Sequence, residues 1–448
     1  MTQATALNLD DIPHPPLTPL VGHTLDLLRD PLGLHMGAAA TYGPVYKVKV
    51  LGQWRVSLGG ADALEFILGD TQKLFSSHDG WDMLHTLFPG GLMLRDFDDH
   101  RAHRRIMQAA FRKPVLDAYR ARLEEATEIL LEDWETDSPF KFFPAIKDMT
   151  LRMGAAVFMG LDLDDPRAEQ LSSAFRAEVA AATAVIRKPV PFTKMARGMA
   201  ARVMLTQQFS MMIPERRDNP GDDFFSQMVL AADEDGNSWT AEELVDHFNF
   251  LMMAAHDTTA SALTKVAWAL ATYPEWQDKI IAEVDALPVG PMDDARLASM
   301  QAADLVFKEC LRLLPPVPLI PRRAVRDFQW GNHIIPAGTW VSATPGTVMM
   351  SPEHWTNPQE FDPDRFGPER EEDRSHKYAW APFGGGAHKC IGLHFATMQV
   401  KLFLAALLKS HRIELADDTP VDWARVPIPQ PKGGLPVVLR KRAQPSSP

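Results

Sequence analysis

A glycine-rich loop that ends in a cysteine, FGGGAHKCIG at residues 383–392, constrains this chain more than any other feature. Three successive glycines carry no side chains, so the backbone can pass close to a flat ligand. Cys390 then opens a periodic apolar run, 391–409, which predicts an amphipathic helix. A helix N-terminus carries partial positive charge and free N–H groups, which favour a thiolate. The pattern therefore predicts a cysteine with a chemical task.

Charge and cysteine content exclude several classes of protein. The 448 residues include 46 Lys and Arg and 58 Asp and Glu, a net charge of −12, which argues against a nucleic-acid partner. Two cysteines, Cys310 and Cys390, do not make a secreted disulfide framework. The sequence has no signal-peptide pattern and no stretch near the roughly 18 apolar residues of a membrane span. These features predict a soluble, cytoplasmic protein with no membrane span.

Helical periodicity dominates the rest of the chain. A long helix is predicted over 241–272, where Thr240 is a candidate N-cap and Glu243 follows three residues later. Strand signals are fewer and lie near 48–56 and 333–341. Prolines cluster at residues 13–19, 315–321 and 427–436. None of these clusters has the polar low-complexity flanks of a domain linker. The sequence therefore predicts a mainly α fold with a minor β part (α+β).

A cysteine in this setting has three interpretations. A thiolate surrounded by backbone N–H groups is what a cysteine-ligated haem iron requires. A lone cysteine is more often a small buried apolar residue, which is the interpretation adopted for Cys310. Zinc also accepts Cys and His, and His376, His388 and His394 lie near Cys390, but no paired Cys-x-x-Cys spacing is present. The glycine-rich approach favours haem.

A second pattern places an acid and an arginine on one helix face. Glu309 and Arg312 are three residues apart, and Arg365 follows later within Phe-Asp-Pro-Asp-Arg-Phe. On a surface, such a pair contributes only a few tenths of a kcal/mol. A carboxylate held by two guanidinium groups can instead be buried with its charge largely compensated.

A third pattern places Asp257 and Thr258 in the middle of the long predicted helix. An acid and a hydroxyl in an apolar helix are costly unless they are hydrogen-bonded or functional. The structural alternative is a threonine that bonds back to a helix carbonyl, with the acid at a polar edge.

A fourth pattern is a basic face on a predicted helix near residues 98–111. His100 and Arg104 are four residues apart, so both side chains lie on one face. Two anionic groups of a ligand would suit this pair. A solvated basic face is the plainer alternative.

Together, the four patterns resemble the cytochrome P450 monooxygenases, and they occur in the family's order across residues 98–392. The resemblance implies the cytochrome P450 fold, a single large helical domain over 1–448 with small β-sheets. It also implies haem b, with Cys390 as the axial ligand of the haem iron. The other residues that it assigns to the cofactor are His100, Arg104, Arg322 and His388 at the propionates, and Phe383, Gly384 and Ala254 beside the ring.

The resemblance also implies roles for the remaining motifs. Glu309, Arg312 and Arg365 would form a structural network that braces the haem loop. Asp257 and Thr258 would be catalytic and would relay protons to dioxygen.

Two positions depart from the family's usual residues. Ala255 stands where glycine is usual, and alanine resists local opening of the helix at a cost of order 1 kcal/mol. His388 replaces the commoner arginine, which turns a permanent charge into a titratable one.

The substrate is less constrained than the cofactor. The resemblance draws the pocket from apolar segments before residue 100 and near 175–200, and these predict an apolar, medium-sized substrate. The chain is weakly similar to members that oxidise sterols and retinoids, while terpenoids, steroids and fatty acids all stay open. The candidate pocket residues are Trp81, Leu84, Phe88, Val190, Phe192, Ala254, Leu319 and Ile428.

Dioxygen activation needs two electrons, and the sequence shows no fused flavin or nicotinamide unit. A ferredoxin-type donor with its NAD(P)H reductase is therefore expected, acting on a monomer. Its expected contact is the basic cluster Arg101, Arg105, Arg112 and Lys113, with Lys389 before the thiolate. A peroxide-using haem enzyme and a haem-based sensor are alternatives. The acid and alcohol pair favours a monooxygenase, because simple ligand binding does not need proton delivery.

Overall fold

Helices make up most of the protein, which we describe from a computed structural model covering residues 8–184 and 186–442. Within those ranges the α-helices are α1 (Thr24–Arg29), α2 (Pro31–Tyr42), α3 (Ala61–Gly69), α4 (Phe97–Ala109), α5 (Lys113–Glu132), α6 (Phe142–Met159), α7 (Pro166–Ala182), α8 (Lys194–Asp218), α9 (Phe224–Leu230), α10 (Ala241–Thr272), α11 (Pro274–Asp285), α12 (Asp294–Ser299), α13 (Gln301–Leu313), α14 (Pro345–Val348) and α15 (Leu393–Ser410).

The β-structure is small, so the predicted mainly α fold with a minor β part is confirmed. The described strands are β1 (Val45–Val50), β2 (Gln53–Leu58), β3 (Phe75–Ser76), β4 (Pro139–Lys141), β5 (Ile320–Ala324), β6 (Phe328–Trp330), β7 (His333–Ile335), β8 (Trp340–Ala343), β9 (His411–Leu415), β10 (Trp423–Ala424), β11 (Gln430–Pro431) and β12 (Pro436–Lys441). They form sheets of order β1-β2-β8-β5-β3, β4-β12-β9, β6-β7 and β10-β11.

The largest sheet unites the two regions in which the sequence predicted strands. β2 pairs parallel with β8, where Val56 lies opposite Val341. β5 pairs with the other edge of β8 and carries Arg322. β7 lies outside this sheet and pairs with β6, with Phe328 opposite Ile335. The sheet therefore brings Arg322 to a fixed position on a strand that is paired on both sides.

α10 runs through the middle of the protein and has the predicted bounds. The Thr240 side chain accepts the Glu243 N–H, and the Glu243 carboxylate accepts the Thr240 N–H at 2.9 Å. This reciprocal capping box satisfies two N–H groups that a helix start leaves free. α10 packs against α6, α8 and α13 and is buried along most of its length. Groups at its centre are thereby held within the core.

α15 follows the cysteine loop and begins slightly later than the predicted 391. Its N-cap is Gly392, while Cys390 lies in the preceding turn. The stretch Gly386–Ser410 is long and apolar enough to match a membrane span, but 61% of its most apolar window is buried within the fold. That burial is typical of a core helix, and α15 packs against α5, α11 and α13.

Candidate functional site

The cysteine loop closes on itself through backbone hydrogen bonds. The Cys390 N–H donates to the Phe383 carbonyl at 2.9 Å, and the Lys389 N–H donates to the Gly386 carbonyl at 3.2 Å. Cys390 is exposed at the surface of this loop, whereas Cys310 is 1% exposed inside the core. Burial raises the pKa of the Cys310 thiol far above its ordinary value. Cys390 is therefore the thiol that is available to a ligand.

Packing against the protein explains most of the glycine run. A Cβ on Gly386 would lie 1.8 Å from the Leu68 carbonyl oxygen, and one on Gly385 would lie 2.3 Å from the Tyr378 ring. A Cβ on Gly384 would meet only the Ile320 side chain, at 3.6 Å. The sequence predicted glycines that clear space for a ligand. Two of the three instead clear space for α3 and for Tyr378.

The Cys390 thiol is accessible at the loop surface but has protein around most of it. This desolvation raises its pKa, and the Gly392 N–H at the helix start and the charges of Arg104 and Lys389 oppose that rise. The predicted effect of the helix start is therefore present and acts against desolvation. A coordinated metal removes the proton from a thiol directly, so the opposing groups need only assist.

Four basic side chains converge beside the loop. The ring centroids of His100 and His388 lie 3.9 Å apart. Burial lowers the pKa of His100 to about 4 and that of His388 to about 2, and the charges of Arg104 and Arg322 lower both values further. Burial also lowers the pKa of Arg322 to about 10. These four predicted residues are thus brought together in a site that disfavours added positive charge.

The acids near this cluster are already engaged. Asp70 accepts two backbone N–H groups, and Asp96 accepts a serine hydroxyl and two backbone N–H groups. His100 Nδ1 is buried with no hydrogen-bond partner among the described residues. Two ligand carboxylates would complete these groups, so the cluster fits the two propionates of haem. Arg322 is 4% exposed, and its neighbour Arg323 bonds instead to the Gly338 carbonyl.

Glu309, Arg312 and Arg365 form one network, and all three side chains are fully buried. Arg312 holds Glu309 with two hydrogen bonds, Nε to Oε2 at 2.6 Å and a terminal nitrogen to Oε1 at 2.8 Å. Arg365 Nε donates to the same Oε1 at 3.2 Å. The remaining guanidinium N–H groups bond to backbone carbonyls and to Glu372. The network is therefore saturated with hydrogen bonds, as a buried ion pair requires.

Glu372 is a member of this network that the sequence did not reveal. Its carboxylate accepts from Arg365 at 2.9 Å and also bonds to Arg370, so two acids face the buried arginines. In the sequence, Glu372 is part of an acidic run after Arg365, and such a run is typical of a solvent-exposed segment. The network reaches the cysteine loop through α13, where Trp380 donates its ring N–H to the Lys308 carbonyl at 3.2 Å.

The centre of α10 is open on one face. Ala254 is exposed and Thr258 is partly exposed, although the helix is otherwise deeply packed. The Thr258 hydroxyl donates to the Ala254 carbonyl at 2.8 Å. This is the helix back-bond of the structural alternative, and it leaves the hydroxyl oxygen free to accept. The exposed face indicates an internal space beside these two residues.

Asp257 lies beside two basic groups, Lys147 on α6 and His256 on its own helix. Its Oδ1 lies 2.9 Å from Lys147 Nζ and 3.0 Å from His256 Nδ1. Burial alone would raise the pKa of Asp257, but His256 and Lys147 outweigh it and lower the pKa to about 2. Asp257 is thus an anion at rest. Neither basic partner was identified from sequence, since Lys147 lies on a distant segment.

Apolar side chains from the two predicted pocket segments, before residue 100 and near 175–200, pack together against α10, and we call these the roof segments. Leu84 and Phe88 are buried with Phe250 in one cluster that also contains Ala181 and Met195, and Trp81 packs against it. Leu319 and Ile428 are partly buried elsewhere. Val190 is 50% exposed and Phe192 is 97% exposed, so these two lie outside the packed cluster. The pocket assignments of all these residues stay predictions.

Arg187 ties the two roof segments together. Its guanidinium donates to the Ala182 carbonyl at 2.7 Å, at the end of α7, and to the Met83 carbonyl. Arg187 is engaged by backbone groups, whereas Lys188 is exposed.

A buried acid links the roof to α10. Glu178 on α7 is fully buried and accepts a hydrogen bond from the Asn249 amide at 2.8 Å. Burial raises the pKa of Glu178 to about 8, against opposition from Asn249 and Arg202. The other Glu178 oxygen and the Asn249 carbonyl oxygen lack partners among the described residues. A proton on Glu178 removes the buried negative charge and makes its second oxygen a hydrogen-bond donor.

We expect this acid to make the protein less stable as pH rises. Between about pH 4.5 and 8 the folded protein keeps the Glu178 proton and the unfolded chain releases it, so the free energy of unfolding falls by about 1.4 kcal/mol per pH unit. Glu178→Gln keeps the hydrogen bond from Asn249 and removes this slope. Unfolding midpoints from pH 5.5 to 8.5 test it, with the exposed Glu169→Gln on α7 as control. Equal slopes in wild type and Glu178→Gln would contradict the assignment.

No group of three or more His, Cys, Asp and Glu side chains within 8–184 and 186–442 is placed to hold a metal ion. The zinc interpretation therefore gains no support from His376, His388 or His394.

Comparison with known proteins identifies the family. A model of the family described as Cytochrome P450 matches residues 12–432. The chain belongs to the cytochrome P450 family. It is accordingly a haem-dependent monooxygenase, and members of this family bind haem b through a cysteine thiolate. The predicted fold, cofactor and enzyme class are confirmed.

Similar proteins come from several branches of the cytochrome P450 family. The chain is 38% identical over 433 residues to cytochrome P450 136 of Mycobacterium tuberculosis, covering 95% of this chain and 87% of that protein. It is 26% identical to the sterol 14alpha-demethylase of Mycolicibacterium vanbaalenii, covering 88% and 89%. The solved structure of a cyanobacterial P450, CYP120A1, with retinoic acid bound superposes with a TM-score of 0.87 at 26% identity, covering 98% and 100%.

Proposed function

We propose that this enzyme hydroxylates an apolar isoprenoid-type substrate, a retinoid or a sterol, with two electrons from a ferredoxin-type protein. The observation that carries the proposal is the apolar cluster that both roof segments form with Phe250 of α10, one helical turn before Ala254. A large apolar wall suits a substrate that binds chiefly by removal of its surface from water. The retinoic acid of one structural relative and the sterol named for another relative support the same class.

The residues around the cysteine loop support the cofactor assignment. Haem b, when bound, supplies the activation of dioxygen that places one oxygen atom in the substrate and releases the other as water. Cys390 is the proposed iron ligand, because its thiol is exposed and Cys310 is enclosed by the core. His100, Arg104, Arg322 and His388 are the proposed partners of the propionates, with Phe383 and Gly384 beside the ring.

Asp257 and Thr258 are proposed to deliver protons from the open face of α10. The Thr258 hydroxyl has one donor position, used by the Ala254 carbonyl at 2.8 Å, and oxygen lone pairs that can accept. As the hydroxyl oxygen accepts a proton, its own O–H can leave the Ala254 carbonyl and give its proton to the internal space. Asp257 precedes Thr258 in the chain and, because it is ionised at rest, would take up a proton before it passes one to the hydroxyl.

Substrate binding and turnover test the proposal. We expect a retinoid or a sterol to change the haem absorption spectrum at micromolar concentration and to speed NADPH oxidation in the presence of a ferredoxin and its reductase. Mass spectrometry should then show a product heavier by one oxygen atom, labelled when ¹⁸O₂ is used. A set of fatty acids of matched length is the control. Turnover of the fatty acids alone would overturn the proposed substrate class.

The electron donor is proposed to dock at a small basic surface, defined as Arg105, Arg112 and Lys389. All three are exposed, and no carboxylate lies within 4 Å of them among the described residues. Arg101 and Lys113, which the sequence also suggested, are neutralised by Asp98 and Asp294. Positive charge on a protein of net charge −12 would steer an acidic partner to one site.

Charge reversal tests this surface. Arg105→Glu with Arg112→Glu should slow reduction by an acidic ferredoxin about tenfold at low ionic strength and flatten its dependence on salt, because steering is lost. Stopped-flow reduction measures the rate. Arg197→Glu with Arg217→Glu on α8 makes the same charge change at two other exposed arginines and should leave the rate near that of wild type. Equal reduction rates for the wild-type protein and for the variant with Arg105→Glu and Arg112→Glu would exclude the basic surface as the docking site.

We propose a single domain over 1–448 that acts as a monomer in the cytoplasm. Two free cysteines and the continuous core of α5, α6, α10, α13 and α15 support this arrangement.

A further inference from the structure

Arg55 on β2 is a charged side chain that the protein leaves without a polar partner. It is partly buried, and its Nε is buried with no hydrogen-bond partner. Among the described residues, its other guanidinium nitrogens also make no hydrogen bond, and no carboxylate lies within 4 Å of them. A guanidinium stays charged at neutral pH, so the N–H groups of Arg55 are free to meet an anion.

This lack of partners is rare in the protein. Within 8–184 and 186–442, every other buried or partly buried arginine except Arg104 donates a hydrogen bond or lies within 4 Å of a carboxylate. Arg104 belongs to the cluster that fits the haem propionates. In the one comparable case, therefore, a partly buried guanidinium without a protein partner stands where a ligand carboxylate is expected.

The register of the largest sheet places Arg55 in a row with two other residues. Arg55 lies opposite Trp340 on β8, and Trp340 lies opposite Arg323 on β5. The guanidinium carbon of Arg55 is 4.4 Å from the indole centroid, and that of Arg323 is 5.7 Å from it. Contact with an indole face holds a guanidinium without using its N–H groups. The row therefore presents two positive charges with free donors.

The row is separate from the propionate cluster. Consecutive residues of a strand point to opposite faces of the sheet, so Arg323 and Arg322 lie on opposite faces of β5. Arg322 belongs to the cluster with His100 and His388. An anion held by Arg55 and Arg323 would thus be a different group from a propionate.

The first roof segment connects this row to the apolar wall. Its short helical segment Asp79–Leu84 packs on β5, where a Cβ on Gly80 would lie 2.6 Å from a backbone carbonyl oxygen of the strand. Leu84, at the other end of the segment, is buried in the apolar cluster of the roof. Burial lowers the pKa of Arg55, and the charge of Asp82 opposes that effect. One segment therefore borders both the apolar wall and the row.

A carboxylate suits this row better than a neutral group does. The planar fork of a guanidinium matches the two oxygens of a carboxylate. Asp82 is exposed and makes no ion pair with Arg55 within 4 Å, so it leaves that fork free. Like charges on Arg55 and Arg323 also repel each other, and an anion beside both relieves the repulsion.

We propose that Arg55, Trp340 and Arg323 form a carboxylate-binding site that selects an apolar acid whose hydrocarbon part lies against the roof segments. The inference rests on the proposed function and narrows its substrate class to acids of the isoprenoid type. The carboxylate accepts N–H groups of the two arginines, while the hydrocarbon part is removed from water. A neutral analogue binds less tightly, because it leaves these donors without a partner.

Equilibrium dialysis of the haem-loaded protein tests the site with retinoic acid and retinol, which differ at the charged end. The wild-type protein should bind the acid about tenfold more tightly, and Arg55→Gln should remove most of this preference. Arg55→Lys keeps the charge without the fork and should keep part of it. Arg217→Gln removes an exposed arginine of α8 and should keep the wild-type ratio of dissociation constants. Haem content and the carbon monoxide spectrum show that each variant is folded.

Asp82 gives a prediction of the opposite sign. Asp82→Asn removes a negative charge that acts on Arg55, so the preference for the acid should rise roughly two- to fivefold. A preference that falls in Asp82→Asn would overturn the proposal, because the acid would then bind away from this charge.

The outcomes separate the carboxylate site from the proposed function. Equal preference in wild type and Arg55→Gln, with retinoids still bound and oxidised, would overturn the site alone. Binding of palmitic acid that is lost in Arg55→Gln, with no binding of retinoic acid, would support the site and overturn the isoprenoid class. Stabilisation by millimolar phosphate that is lost in Arg55→Gln, with no preference for acid over alcohol, would assign the row to a free anion and overturn its role in substrate selection.

Discussion

Replacing Glu309 with alanine is expected to give protein that is largely unfolded and retains no haem. The side chains of Glu309, Arg312 and Arg365 are all fully buried, so the alanine variant leaves two guanidinium groups without their shared carboxylate. Loss of one partner from a buried ion pair costs about 3–5 kcal/mol, and here one carboxylate serves two partners. Domains of this kind are stable by only about 5–15 kcal/mol in total.

Haem content per polypeptide and the midpoint of chemical unfolding measure this effect. Glu309→Gln preserves volume but supplies an amide N–H₂ where the arginines need an acceptor, so it should be nearly as damaging. Glu353→Ala removes an exposed carboxylate and should change neither quantity by more than experimental error. A Glu309→Ala protein that held normal haem and unfolded at the wild-type midpoint would show that the network does not support the haem loop.

Local signals in the sequence were reliable where neighbours along the chain determine the structure. α10 has its predicted bounds because Thr240 and Glu243 satisfy each other at its start. The pairing of Glu309 with Arg312 follows from helical spacing alone. In both cases the two residues in contact are three apart in the chain, so their spacing in the sequence is enough to predict the contact.

Contacts between distant segments could not be predicted, even when they determine the chemistry. Lys147 and Glu372 each meet a residue of the site, Asp257 and Arg365, through tertiary packing. As isolated residues, both read as ordinary surface charges. The sequence thus identified the groups at the site but not what holds them.

Electrostatics also depended on burial that the sequence does not display. Burial raises the pKa of the Cys390 thiol, and burial together with the charge of Arg322 lowers the pKa of His388 to about 2. The desolvation of a charged form follows from tertiary packing, so the residues next to a group in the chain do not reveal it.

The glycine loop supplies a second large effect. We expect Gly386→Ala to lose haem and to be destabilised by more than the usual cost of a strained residue. Gly386 has a φ of +61°, and a Cβ there would lie 1.8 Å from the Leu68 carbonyl oxygen. Left-handed backbone costs a non-glycine residue about 1–3 kcal/mol, and this clash with rigid backbone of α3 adds to it. The loop must therefore move away from α3, and Cys390 and His388 move with it.

Gly331 is a control that separates the cost of backbone strain from the cost of the clash with α3. Gly331 has a φ of +56° and nothing within 4 Å of its Cβ position, so Gly331→Ala carries the backbone strain without the clash. We expect Gly331→Ala to keep full haem content and to lower the unfolding midpoint slightly, while Gly386→Ala loses haem. Haem absorbance per protein and the carbon monoxide spectrum distinguish them. Equal losses in both variants would mean that backbone strain alone, and not packing against α3, makes glycine necessary in this loop.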